Sequence, residues 1–246
     1  MCTVVFIPDN NKLLFASLRD ESVFRPTAIT PEVYSVNGTG ILAPKDALKG
    51  GTWLGINDYK NIVILLNGGF QKHERKESYA KSRGLIVNEL LASEMPVIIW
   101  ELLDLKDIEP FTLLVWSEEM LFQLVWDGSK KNRLKLDSTI PHILSSSTLY
   151  SVEAKLKREI MFKKWLKHNS TISKLSLLNF FKSVIDTENG FIINRNEKVK
   201  TLSYSFIELN NEDTAKLDYY DLQNFSHSKK TISMNASIID KSLPII

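Results

Sequence analysis

At 246 residues the chain can bury a sizeable core in one domain without disulfide staples. Its 43% hydrophobic and 24% charged residues exclude a disordered or fibrous protein. Because 31 basic residues face 29 acidic ones, the formal net charge is only +2, and no long-range field selects a nucleic acid or an anionic surface as partner.

Thr3 to Ile7 and Lys12 to Ser17 read as two apolar strands around Pro8-Asp9-Asn10-Asn11, a hairpin signature. A loop punctuated by proline and glycine runs from Pro26 to Gly51. Thr52 to Ile56 and Asn61 to Leu66 then form a second hairpin around Asn57-Asp58-Tyr59-Lys60. A helix is expected from Lys76 to Ala92, with Tyr79, Ile86 and Leu90 facing inward. Val97 to Leu103, Phe111 to Trp116 and Leu121 to Trp126 are short, β-branched and aromatic, and predict a meander of three strands.

The period then changes. Val152, Leu156, Ile160 and either Met161 or Trp165 recur at helical spacing between Ser151 and Lys167, and the Lys and Arg residues of 155–167 are expected to form the solvated face. Leu175, Leu178, Phe181 and Ile185 predict a second helix ending near Asn189-Gly190. Strands over Lys200 to Leu209 and Thr214 to Leu222 close one domain of residues 1–223, and residues 224–246 are expected to be a peripheral tail. Hairpins together with segregated helices argue for an α+β domain with mainly antiparallel sheets.

Three observations bear on location and cofactors. The lone cysteine excludes an internal disulfide and suits a reducing compartment. The apolar stretch Val4 to Ile7 lacks a basic lead-in, and nowhere do about eighteen apolar residues run together, so neither a secretory signal nor an integral membrane segment is expected. A cytoplasmic protein follows. His73, His142, His168 and His227 are scattered, so no metal site and no cofactor are expected.

The chemistry centres on Cys2. Removing Met1 would leave a thiol and a free α-amine on one residue, a nucleophile with its own base. The run Lys12 to Leu18 ends in Arg19-Asp20-Glu21, and a short turn would bring this cluster beside Cys2. A guanidinium favours thiolate, whereas a carboxylate can hold the α-ammonium. Successive strand residues face opposite ways, so Arg19 and Asp20 can both reach Cys2 only if regular strand geometry has ended by Leu18. A structural salt-bridge cluster around Arg25 is the simpler alternative. Asn67, which ends a strand before Gly68-Gly69, is the candidate donor to a tetrahedral oxyanion, although Asn-Gly-Gly is also an ordinary turn.

The Met1-Cys2 opening, Arg19-Asp20-Glu21, Arg25-Pro26-Thr27, Gly50-Gly51-Thr52-Trp53-Leu54-Gly55-Ile56, Asn67 and Arg83-Gly84-Leu85 together resemble the transport and Golgi organisation protein 2 family, also called NRDE after its Asn-Arg-Asp-Glu signature. The resemblance implies the four-layer αββα sandwich of N-terminal nucleophile (Ntn) hydrolases. It further implies catalytic roles for Cys2, Arg19, Asp20 and Asn67, and substrate binding by Glu21, Arg25, Trp53 and Ser146. Three positions depart from the family pattern: Leu18 replaces the signature Asn, Ser146 replaces the Asn of a Leu-Ser-Asn segment, and Leu202 replaces an Arg. The implied activity is amide hydrolysis or acyl transfer on a small-molecule substrate. The alternative is a noncatalytic member that binds haem, a lipid or a trafficking partner.

Overall fold

The layering follows from the side-chain alternation of the first hairpin. In the computed structural model, which describes residues 3–9, 12–169, 171–210 and 213–235, β1 (Thr3–Asp9) pairs antiparallel with β2 (Lys12–Ser22). Val4, Phe6 and Phe15 pack in one apolar cluster, while Val5, Ile7, Leu14, Ala16 and Leu18 pack in another. A strand pair apolar on both faces requires a covering layer on each side.

One cover is a second sheet and the other is a helical pair. The first sheet has the order β10 (His142–Ser145), β1, β2, β12 (Val199–Asn210), β13 (Thr214–Asp221), β14 (Ser226–Ser233), with the short β11 (Asn194–Arg195) against β12. The second runs in sequence order through β3 (Ile29–Val36), β4 (Thr39–Lys45), β5 (Leu54–Asn57), β6 (Ile62–Asn67), β7 (Phe111–Ser117), β8 (Met120–Trp126) and β9 (Lys131–Leu136). All described pairings are antiparallel. Phe6 stacks on Trp116 at 6.1 Å across the inter-sheet core, and each such buried side chain contributes roughly 1.5–3 kcal/mol.

Helices α1 (Arg83–Leu91) and α2 (Pro96–Leu102) cover the second sheet, burying Ile86, Val87, Leu90 and Trp100. Lys131 Nζ donates to the carbonyls of Trp100, Glu101 and Leu103 at 3.0, 2.7 and 2.8 Å, satisfying the open end of α2. Helices α3 (Val152–Lys167) and α4 (Lys174–Ser183) cover the first sheet through Phe162, Leu177, Phe180 and Phe181. The architecture is therefore the expected α+β, four-layer αββα sandwich.

Several local expectations are corrected. The stretch 26–51 holds the β3–β4 hairpin, turned by Asn37 and Gly38 at φ 53° and 86°, a pair suited to a two-residue turn. Its edge strand leaves Ile29 and Val33 exposed, so the apolar signal is faint. The stretch expected as a strand from Val97 to Leu103 is helical through Leu102, because Pro96 opens the helix and Val97 and Trp100 share its buried side. The helix expected from Lys76 begins only at Arg83, and Tyr79 is half-buried outside it. Strands β9 and β10 were not foreseen. Strand β14 pairs along β13, so the expected tail begins inside the sheet; residues 236–246 lie outside the described residues.

The largest reversal concerns α3. Val152, Leu156 and Ile160 are 72, 55 and 57% exposed, whereas Ala154, Arg158 and Phe162 face the sheet. In α4 Phe181 is buried as expected, but its companions are Leu177 and Phe180, while Leu175 and Ile185 are exposed. Helix α4 stops at Ser183, so Gly190 is no helix cap. It serves close packing, because a Cβ there would come within 2.4 Å of the Asp186 carbonyl.

Candidate active site

Strand β2 continues through Ser22, but its pairing with β12 slips between Thr201 and Ser203, the residues opposite Asp20 and Arg19, and the two charges part at this irregularity. Arg19 is buried at 4% exposure, its Cζ lies 4.4 Å over the Trp53 ring, and its Nη2 reaches Asp46 Oδ2 at 3.2 Å. Arg25 grips the same oxygen, through Nε at 2.9 Å and Nη2 at 2.8 Å. Asp46 Oδ1 accepts the amides of Leu48 and Lys49 at 3.1 and 2.8 Å, so one carboxylate orders two guanidiniums and a turn.

Around this cluster opens a pocket of about 90 Å³. Arg19, Glu21, Arg25, Trp53 and Asn67 all line it, together with Arg83 and Gly84 at the start of α1. The glycines of the most specific motif build its floor. A Cβ at Gly51 would lie 2.4 Å from the Gly84 carbonyl carbon, and the Thr52 amide donates to the Gly84 carbonyl at 3.1 Å. Burial alone would raise the Glu21 pKa, but the Ser22 amide and the Arg19 and Arg25 guanidiniums are among the groups that bring it below the ordinary glutamate value. Burial also lowers the pKa of Arg83, against the attraction of Glu109.

Asp20 faces the other way. Its Oδ2 accepts the Tyr150 hydroxyl at 2.8 Å and its Oδ1 accepts the Thr201 hydroxyl at 2.6 Å. Tyr150 in turn lies against Arg158, whose Cζ is 3.8 Å from the ring centre. Arg158 is fully buried. It donates through Nη1 to Thr3 Oγ1 at 2.8 Å and Ser145 Oγ at 3.2 Å, and through Nη2 to the Gly190 carbonyl at 2.6 Å. No carboxylate pairs with it among the described residues, and its Nε has no partner. A buried charge so placed carries a desolvation penalty of roughly several kcal/mol. Sequence reasoning assigned this arginine to a solvated face. The available signal was its place between Ala154 and Phe162 in an i, i+4, i+8 column, the one that is buried.

Ser146 does not enter the arginine-lined pocket. Its hydroxyl donates to the Asn67 carbonyl at 2.7 Å, bracing the backbone rather than supplying an amide. It borders a second crevice of about 170 Å³, which Asn67 also lines, so Asn67 stands between the two. Gly68, at φ +87°, makes that junction possible; a Cβ would lie 2.3 Å from Ser147 Oγ. Leu18 is 1% exposed in the helix-side core and Leu202 is 3% exposed, so neither replaces a pocket polar group in kind. Met1 and Cys2 lie outside the described residues. The first described residue of β1, Thr3, pairs with Leu18 and Ser145. Among the described residues no group of three or more His, Cys, Asp or Glu could hold a metal, and no helix is long and apolar enough to cross a membrane.

Two stacked antiparallel sheets between helical layers, with a charged pocket at the far end of the first hairpin, place the protein in the Ntn-hydrolase-like fold class. Solved structures agree on the fold. The Caenorhabditis elegans N-acylethanolamine-hydrolyzing acid amidase ortholog is 12% identical with a TM-score of 0.59, over 84% of this chain and 92% of that one. A mutant conjugated bile acid hydrolase from Clostridium perfringens is 11% identical with a TM-score of 0.53, over 96% and 97%. The sequence signature of the Transport and Golgi organisation 2 family matches residues 1–233, and the chain belongs to that family. No curated protein matches the sequence.

Proposed function

We propose that this protein is an amide hydrolase or acyl-transferase that uses Cys2, once Met1 is removed, as an N-terminal nucleophile on a small-molecule substrate. The observation that carries the reading is the convergence of Arg19, Glu21, Arg25, Trp53 and Asn67 on one pocket from separate parts of the chain. In the reaction, the α-amine takes the thiol proton and the thiolate attacks the carbonyl carbon. Asn67 donates to the oxyanion, and collapse breaks the C–N bond as the α-ammonium returns its proton to the leaving amine. Water, or an acceptor amine, then resolves the thioester. Asp20, already ordered by Tyr150 and Thr201, has the charge to hold the α-ammonium. A linear amide is the substrate class, by analogy with the amidase named above. The lone cysteine favours a reducing, cytoplasmic setting.

One observation favours the noncatalytic reading, in which the protein binds a hydrophobic ligand or partner: Ser146, where the family pattern has an amide, spends its hydroxyl on the Asn67 carbonyl and offers no donor to an oxyanion. Intact-mass analysis followed by a thiol-reactive acyl probe separates the two. Catalysis requires Met1 to be absent and the probe to label wild type but not Cys2→Ala. A Met-processed, folded protein that does not label leaves the binding reading in place.

A further inference from the structure

We propose that the 90 Å³ pocket is an anion subsite that holds the acidic end of the ligand, a carboxylate, sulfonate or phosphate group. The first support is charge. The lining carries three guanidiniums, those of Arg19, Arg25 and Arg83, against the two carboxylates of Glu21 and Asp46. Counting Glu109, which pairs with Arg83 at 3.2 Å, makes it three against three, and the exposed Arg75, 4.0 Å from the same carboxylate, restores a surplus of one just outside the lining.

The second support is an unspent donor. Trp53 is 4% exposed, lines the pocket, and its indole N–H is buried with no hydrogen-bond partner. Buried donors are satisfied in almost every native site, so an orphan beside a polar pocket points to a ligand acceptor. The third support is the start of α1. Ser82, Arg83 and Gly84 line the pocket, the Ser82 side chain makes no cap bond, and the first turn has no acidic residue. The positive end of the helix dipole therefore has no side-chain anion from its own first turn, and a carboxylate of the pocket lining, Glu21, acts on Arg83.

Size limits the occupant. About 90 Å³ takes one oxyanion group but not an acyl chain, so the rest of the molecule lies outside it, and Asn67, which lines both this pocket and the 170 Å³ crevice, marks one way out. An amide whose acidic end is held on one side of Asn67 would present its carbonyl to the Asn67 amide. This last step rests on the hydrolase reading, whereas the anion site does not.

Titration calorimetry at low salt with inorganic phosphate, methanesulfonate and acetate tests the site, and the order of affinities tells which acid it prefers. Saturable binding of at least one is expected. Arg25→Gln, at a half-exposed position, and Trp53→Phe, which keeps a ring beneath Arg19, should each weaken it about tenfold or more, with melting followed in parallel. An N-acylglycine should compete with the bound anion while its methyl ester should not. Absence of saturable binding by all three anions, or equal affinity in wild type and both variants, overturns the proposal. Binding is also measured in Cys2→Ala. Anion binding retained there, in a protein whose wild type never labels at Cys2, would refute catalysis and leave the subsite intact.

Discussion

Leu18→Asn would restore the family signature, and the structure predicts that it damages the protein rather than improving it. Leu18 is 1% exposed in the cluster that contains Phe181, Phe191 and Tyr204, and it pairs with Thr3 on one side and Tyr204 on the other. Losing its burial costs roughly 2–3 kcal/mol. An amide placed among those rings without a partner adds roughly 1–3 kcal/mol. A total near 4 kcal/mol should lower the melting temperature by about 8–16 °C in a chain of this length. The control Leu18→Met keeps volume and polarity and should cost less than about 1.5 kcal/mol. Thermal melts and urea titration of the three proteins, with acyl-probe labelling measured below the transitions, test this. A Leu18→Asn protein that melts within about 3 °C of wild type would refute the assignment of this position to the apolar face.

Gly51→Ala should close the pocket floor, because its methyl group would meet the Gly84 backbone at 2.4 Å; loss of phosphate binding together with a melting-temperature drop is the expected readout. Arg158→Lys should keep the buried charge but lose the fork to Thr3, Ser145 and Gly190, and Arg158→Met should remove both. If the fork is what matters, the two variants lose similar stability by urea titration, about 2–4 kcal/mol. If the unpaired charge dominates, Met is the more stable of the pair. The folded pKa of Glu21 lies below its reference of 4.5, so its stabilisation is present above that value and lost as pH falls through the folded pKa. Stability of wild type and Glu21→Gln should therefore converge as the pH falls below the 4.5 reference and through the folded pKa. Tyr219, pushed up to about 12 by burial, should make stability fall as pH rises above about 10, a loss that Tyr219→Phe removes.

The sequence by itself determined the antiparallel α+β character, the first hairpin and the strand pair of β7 and β8, and its family motifs pointed to Arg19, Glu21, Arg25, Trp53 and Asn67, though not to Asp46, which orders two of them. These are legible because alternation and turn chemistry are local, and because Gly50-Gly51-Thr52-Trp53 spells out a backbone contact that only glycine permits. Tertiary structure alone decided the rest. Val152, Leu156 and Ile160 have the spacing of a buried face, yet Arg158 lies inward because Thr3, Gly190 and the 145–150 stretch with Ser145 and Tyr150 offer its guanidinium partners from three separate segments. Helix α2 is written in strand-forming residues, but Pro96 and the buried Trp100 hold it helical against the second sheet. Arg19 and Asp20 are neighbours in the chain and point into different environments, because β2 remains a strand through Ser22. Periodicity shows that a face exists; which face is buried depends on the partners that the rest of the chain brings to it.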